Sequence, residues 1–177
     1  MNKPFPARKR GQVRVLPPLE VLDHLFYLDP VTDELRWRIS HRGRAPGSLA
    51  GHTNHRGYCL VSINGVKYWA HRISFKLRYR EEPPECIDHE NGDPTDNHAD
   101  NLRAATHRDN VANSKLRKDN TSGAKGVHWK KAIQKWVVNY SHYGKTIHVG
   151  LFDDFEAACS AAMFAREEAY GKFANHG

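Results

Sequence analysis

The stretch Ile87-Asp88-His89-Glu90-Asn91-Gly92-Asp93-Pro94-Thr95-Asp96-Asn97, followed by Asn101-Leu102-Arg103 and Thr106-His107-Arg108-Asp109-Asn110, decides how the chain is read. A strand ending at Asp88-His89 brings a carboxylate and an imidazole to one rim. Residues 90–100 contain Asn-Gly and Asp-Pro pairs, the turn chemistry that folds a chain back on itself. Leu102 to Ala105 then reads as the returning strand. Thr106, with Asp109 three residues on, forms the signature of a capped helix that carries Asn110 in its first turn. Asp88 and Asn110 are therefore expected to converge beside His89.

Carboxylate and amide oxygens are hard donors that suit Mg²⁺, an ion that keeps several waters and binds through few protein groups plus substrate phosphate. A cation so placed neutralises charge building on a leaving oxygen. His89 is the candidate general base, because an ordinary imidazole titrates near neutral pH. Asn101 is expected to tie the loop through side-chain bonds to backbone and so to position the catalytic residues. The alternative is an Asp/Asn-rich loop held by its own hydrogen bonds, without a metal.

These residues resemble the HNH nuclease motif in the Asn-ending form found in phage homing endonucleases. The resemblance covers about residues 58–120, including His71-Arg72 ahead of the motif. It places the motif letters on His89, Asn101 and Asn110, with Asp88 as the acidic ligand. It implies a ββα-metal (His-Me finger) unit, a divalent metal (Mg²⁺, with Mn²⁺ as the second choice), and hydrolysis of a DNA phosphodiester. Where relatives often end in His this chain has Asn110, a weaker and neutral ligand. His71 is expected to pack under the nuclease core. Arg72 reads either as a surface residue or as a phosphate contact.

Working toward the N-terminus, Tyr58 to Ile63, Asn64-Gly65 and Val66 to Ala70 form a hairpin signal, since Asn-Gly supplies the two positive-φ residues of a type I′ turn. Ile73 to Tyr79 reads as a short helix stopped by Pro83-Pro84. Residues 19–28 have helix-compatible apolar spacing, and Leu35 to Ile39 alternates as a strand. His41, His52 and His55 lie in a polar loop without zinc spacing and are expected at the surface. The basic start (Lys3, Arg8, Lys9, Arg10, Arg14) reads as a solvated arm or as a phosphate-touching one.

Toward the C-terminus, residues 113–125 are polar and basic, with Lys115, Arg117, Lys118 and Lys125. The stretch reads as a linker that either follows the DNA backbone or acts as a plain spacer. Val127 to Lys130, Trp136 to Ser141 and Lys145 to Leu151 read as three strands, with Tyr143-Gly144 as a turn. Asp153 and Glu156 suggest a capping box before an Ala-rich helix that runs to Tyr170, with Gly171 beyond it. Residues 122–175 resemble an Apetala/ethylene-response-factor DNA-binding domain, in which a three-stranded sheet enters the major groove. By position, Lys125, His128, Lys130, Asn139, Thr146 and His148 fall where that family contacts DNA, and Lys145 adds charge beside them. His128, Thr146 and His148 replace the plant residues, so base specificity does not transfer. Trp129 and Trp136 read as core.

The composition agrees with a polyanionic partner. The 177 residues carry 27 Lys plus Arg against 20 Asp plus Glu, a formal charge of +7. The three cysteines, Cys59, Cys86 and Cys159, stand far apart and give neither a zinc pair nor a disulfide framework. No apolar run approaches the length of a membrane span. The expected organisation is α+β: an arm over 1–18, a nuclease domain over 19–112 with its core motif at 86–112, a linker over 113–125, and a DNA-binding module over 126–177. The expected partner is double-stranded DNA in a cytoplasmic setting, with no protein partner implied. A non-catalytic DNA-binding protein with a degenerate motif is the alternative, and an RNA-binding adaptor rests on charge alone.

Overall fold

The structure is a computed structural model and describes residues 14–177. Lys3, Arg8, Lys9 and Arg10 of the basic arm lie outside the described residues. Arg14 donates to the Lys67 carbonyl at 3.1 Å and lies over the Tyr68 ring. The architecture is mixed α+β, with small sheets and four helices among the described residues. The described residues divide into two compact units, the first ending at Ala104 and the second running from Ala105 to Gly177.

In the first unit, α1 (Leu19–Leu25) leads into β1 (Phe26–Leu28), which pairs antiparallel with β2 (Leu35–Trp37). The single helix expected over residues 19–28 thus ends early. Phe26 turns extended and is fully buried, because its ring packs against Trp37 at 4.5 Å. A three-stranded sheet follows in the order β3 (His52–Thr53), β4 (Cys59–Ile63), β5 (Val66–Trp69). Asn64 and Gly65 both have positive φ, 49° and 80°, at the hairpin the sequence marks.

Helix α2 (Ala70–Tyr79) is stopped by Arg80, which adopts the left-handed conformation with φ 61°. The stop therefore precedes Pro83-Pro84. The core gathers Leu22, Phe26, Trp37, Val61 and Ile73. Phe75 of α2 joins Ile87 and Leu102 in a second buried cluster, which seats the next two strands. These are β6 (Cys86–His89) and β7 (Leu102–Ala105), paired in a sheet of their own.

The second unit opens with α3 (His107–Asn113). Thr106 accepts from the Asp109 N–H while the Asp109 carboxylate accepts from the Thr106 N–H, so the capping box is complete. Strands β8 (Val127–Lys130), β9 (Lys135–His142) and β10 (Lys145–Phe152) form an antiparallel sheet in sequential order. Helix α4 (Phe155–Tyr170) covers one face, burying Ala158 and Ala162 against Val127 and Val138. Its N-cap is Asp154, which accepts from the Ala157 N–H at 2.7 Å; Asp153, the expected cap, instead pairs with Lys135 at 2.5 Å. Only glycine fits at position 126, where φ is 77° and an added Cβ would meet the Asn139 carbonyl oxygen at 2.4 Å.

The segment before β8 is organised rather than a bare spacer. The Asn120 amide oxygen accepts from the Gly123 N–H at 2.7 Å, and the Ser122 hydroxyl donates to the Val127 carbonyl at 2.6 Å. Lys125 donates to both the backbone and side-chain oxygens of Asn175, each at 2.9 Å, and to the Ser114 carbonyl.

Candidate functional site

Strand β6 delivers Asp88 and His89 to its end, both buried. The loop leaving them is closed by backbone bonds from Gly92 to the His89 carbonyl and from Glu90 to the Asn101 carbonyl, each 2.8 Å. Asn101 spans the same loop. Its amide oxygen accepts from the Asn91 N–H at 2.9 Å, and its amide nitrogen donates to the Asp96 carbonyl at 2.8 Å. The far end is fixed from the first hairpin: Asp33, buried and with φ 53°, accepts from the Ala99 N–H at 2.7 Å.

Around His89 stands an aromatic wall. The His71 ring lies 5.3 Å away edge-to-face and Tyr58 6.1 Å away, while Trp69 stacks on His71 at 6.2 Å. The His89 Nε2 is 3.3 Å from the Asn97 side-chain oxygen. Burial, reinforced by His89 and Arg72 nearby, drives the His71 imidazole down to about 3, so it is neutral across the physiological range. Asp88 faces Arg103 on β7, whose Nε and Nη2 both lie 2.9 Å from the Asp88 Oδ2. The Arg103 Nη1 is 3.6 Å from the exposed Glu90 carboxylate.

The basic residues expected on DNA differ in their surroundings. Arg72 faces backbone carbonyls. It is buried and donates to the carbonyls of Pro84, Glu85 and Pro83 at 2.8, 3.2 and 3.2 Å, because the proline-bearing turn after α2 has carbonyls that need donors. Lys125 is likewise committed to its three acceptors, and burial beside Arg166 lowers it to about 8. Arg117 is exposed but forks onto Asp119 at 2.9 and 3.0 Å, while Lys115 and Lys118 are exposed. Asn110 lies half-buried on α3 in the second unit.

In the second unit's sheet, register decides which residues share a face. His128 pairs with Val137, Asn139 with His148, and Ser141 with Thr146, all on the side away from α4. Asn139 and His148 also meet through side chains at 2.9 Å. Lys130 opposite Lys135 closes the row, and Lys130, Lys145, Thr146 and His148 are exposed. Trp136 lies on the helix side, 4.6 Å from Phe155, whereas Trp129 remains 42% exposed and is not full core.

Sequence reasoning left three residues without a role here. Arg103 carried a readable signal, an arginine on the strand that returns beside Asp88. Tyr58 and Asp33 had none, since their partners lie 31 and 66 residues away.

Comparison with known proteins bears on these positions. A family model described as HNH endonuclease matches residues 68–112, which span α2, β6, the loop, β7 and nearly all of α3. Protein 3.8 of Escherichia phage T7 is 36% identical over 88 residues, covering 50% of this chain and 72% of that protein. No solved structure matches.

Proposed function

The chain belongs to the same family as phage T7 Protein 3.8 and carries an HNH endonuclease domain, and we propose from this that it is a metal-dependent DNA endonuclease of the homing type, acting in the cytoplasm of a phage-infected cell. The observation that carries the reading is the pairing of Asp88 with His89 at the end of β6, held by a loop that Asn101 and Asp33 lace from both ends.

HNH nucleases as a family generally use a divalent metal. Among the described residues no three His, Cys, Asp or Glu side chains gather around one point. A thiolate- or imidazole-rich centre therefore does not fit, whereas a carboxylate and an amide oxygen fit an ion that keeps most of its water. Asp88 at the end of β6 is the proposed protein donor, Asn110 the second donor that the motif implies, and Mg²⁺ the proposed ion, with Mn²⁺ a substitute. When bound, it neutralises charge on the scissile phosphate. His89 takes the proton from the attacking water as the P–O bond to the leaving nucleotide breaks. The aromatic wall of His71 and Tyr58 holds the His89 ring in place.

The second unit is proposed to hold the duplex as an Apetala-type module, with His128, Lys130, Asn139, Thr146 and His148 on the sheet face away from α4 and Lys145 beside them. Exposed Lys115 and Lys118 add backbone contacts. Supercoiled plasmid incubated with Mg²⁺ tests the reading: the unmodified protein nicks or linearises it, and His89→Ala and Asp88→Ala abolish cutting while DNA binding persists. Duplex binding without any cutting would instead support the non-catalytic alternative.

A further inference from the structure

We propose that Arg103 is a resting counter-charge on Asp88 that couples cation binding to DNA binding. The inference rests on the nuclease reading above. Asp88 and Arg103 are almost wholly enclosed, with side-chain exposures of 6% and 12%, and two guanidinium nitrogens converge on the single oxygen Oδ2 at 2.9 Å. A carboxylate so enclosed needs a positive partner, and the guanidinium supplies one while no cation is bound.

A divalent ion that takes the same carboxylate stands within a few ångströms of that guanidinium. The two positive charges repel in a poorly screened setting, so the ion binds weakly while Arg103 holds its place. Asp88 holds the guanidinium on one side; on the other, its Nη1 points toward Glu90, whose side chain is 61% exposed. It thus has a solvent-facing side from which to exchange Asp88 for a phosphate, a partner whose geometry suits its planar fork. Arrival of the DNA backbone draws Arg103 away and makes Asp88 available to the ion. By linkage, the ion strengthens DNA binding by the same factor.

The test is a calorimetric titration with MnCl2 at pH 8 in the His89→Ala background, which does not cut, with and without a mixed-sequence duplex. With Arg at 103, the duplex tightens Mn²⁺ binding by about tenfold. Arg103→Gln binds Mn²⁺ about tenfold more tightly without DNA, and the duplex adds little. Arg103→Lys keeps the charge and keeps the coupling. Equal or weaker Mn²⁺ binding by Arg103→Gln overturns the proposal while leaving the nuclease reading intact. No Mn²⁺ uptake by any variant, even with duplex, overturns both. Should Arg103→Gln fail to fold, Asp88→Asn gives a separate measure: with Arg103 released, metal-free duplex affinity rises several-fold, and an unchanged affinity counts against the coupling.

Discussion

His71 is a residue whose neighbours dictate its charge. Its Nδ1 finds no hydrogen-bond partner among the described residues, and the ring is enclosed by Tyr58, Trp69 and His89. The unfolded chain takes up a proton near pH 6.5 that the folded one refuses until about 3. Stability from this group is complete above pH 6.5 and is lost as the pH falls toward 3, at a limiting slope of about 1.4 kcal/mol per pH unit. Urea unfolding of His71→Phe is expected to lose about 2 kcal/mol less than the unmodified protein between pH 6.5 and pH 5. Identical pH profiles would show that the imidazole does not carry the effect. The neighbouring Arg72 shows where single residues escape sequence reasoning. Its charge is written in the chain, but its burial depends on the turn at Pro83 to Glu85 that it caps. Arg103 escaped less completely, since only the pairing of β6 with β7 was needed to bring it to Asp88.

Elements whose signals are local were the legible ones. Asn64-Gly65 fixes its hairpin through two positive-φ residues, and Thr106 with Asp109 fixes the start of α3. Where two adjacent residues compete for one role, the three-dimensional setting chooses. Asp154 caps α4 while Asp153 reaches Lys135, so Asp154→Ala should cost about 1 kcal/mol in chemical denaturation. Asp153→Ala should cost under about 0.5 kcal/mol, as for an exposed ion pair. The reverse order would reassign the cap. The mixed alternation of β10 has a similar origin. The register shifts between His148 and Gly150, leaving Val149 as an extra residue. That bulge lets Thr146 and His148 face away from α4 while Phe152, of the same parity, packs toward it. Strict alternation along the sequence cannot show both.

For the molecule as a whole, charge was legible while its distribution was not. Of the basic residues expected on DNA, Arg72 and Lys125 are committed to carbonyls, and Arg117 to Asp119. On the proposed reading, this leaves the outer sheet face with Lys130, together with the exposed Lys145, Lys115 and Lys118, for the duplex. The double variant Lys130→Ala plus Lys145→Ala is expected to reduce the slope of log affinity against log salt by about 1.8, about 0.9 for each phosphate that is no longer neutralised. An unchanged slope would remove Lys130 on this face and Lys145 at the sheet's margin from the interface. The contacts that hold α3 were not legible, because the partners are remote: Arg166 donates to the Ala112 carbonyl at 3.0 Å, and the Asn175 amide to the Asn113 side chain at 3.3 Å.

The bond from Ala99 to Asp33 also says something about time. It joins positions 66 residues apart, whereas the β4–β5 hairpin closes over two. Loop-closure entropy delays the long connection, so during folding the hairpin and α2 assemble while residues 90–101 are still searching for their anchor. A newly made chain would then be compact before the loop over residues 90–101 is anchored, and a defect in the tip at residue 33 would lengthen that interval before it altered the finished fold.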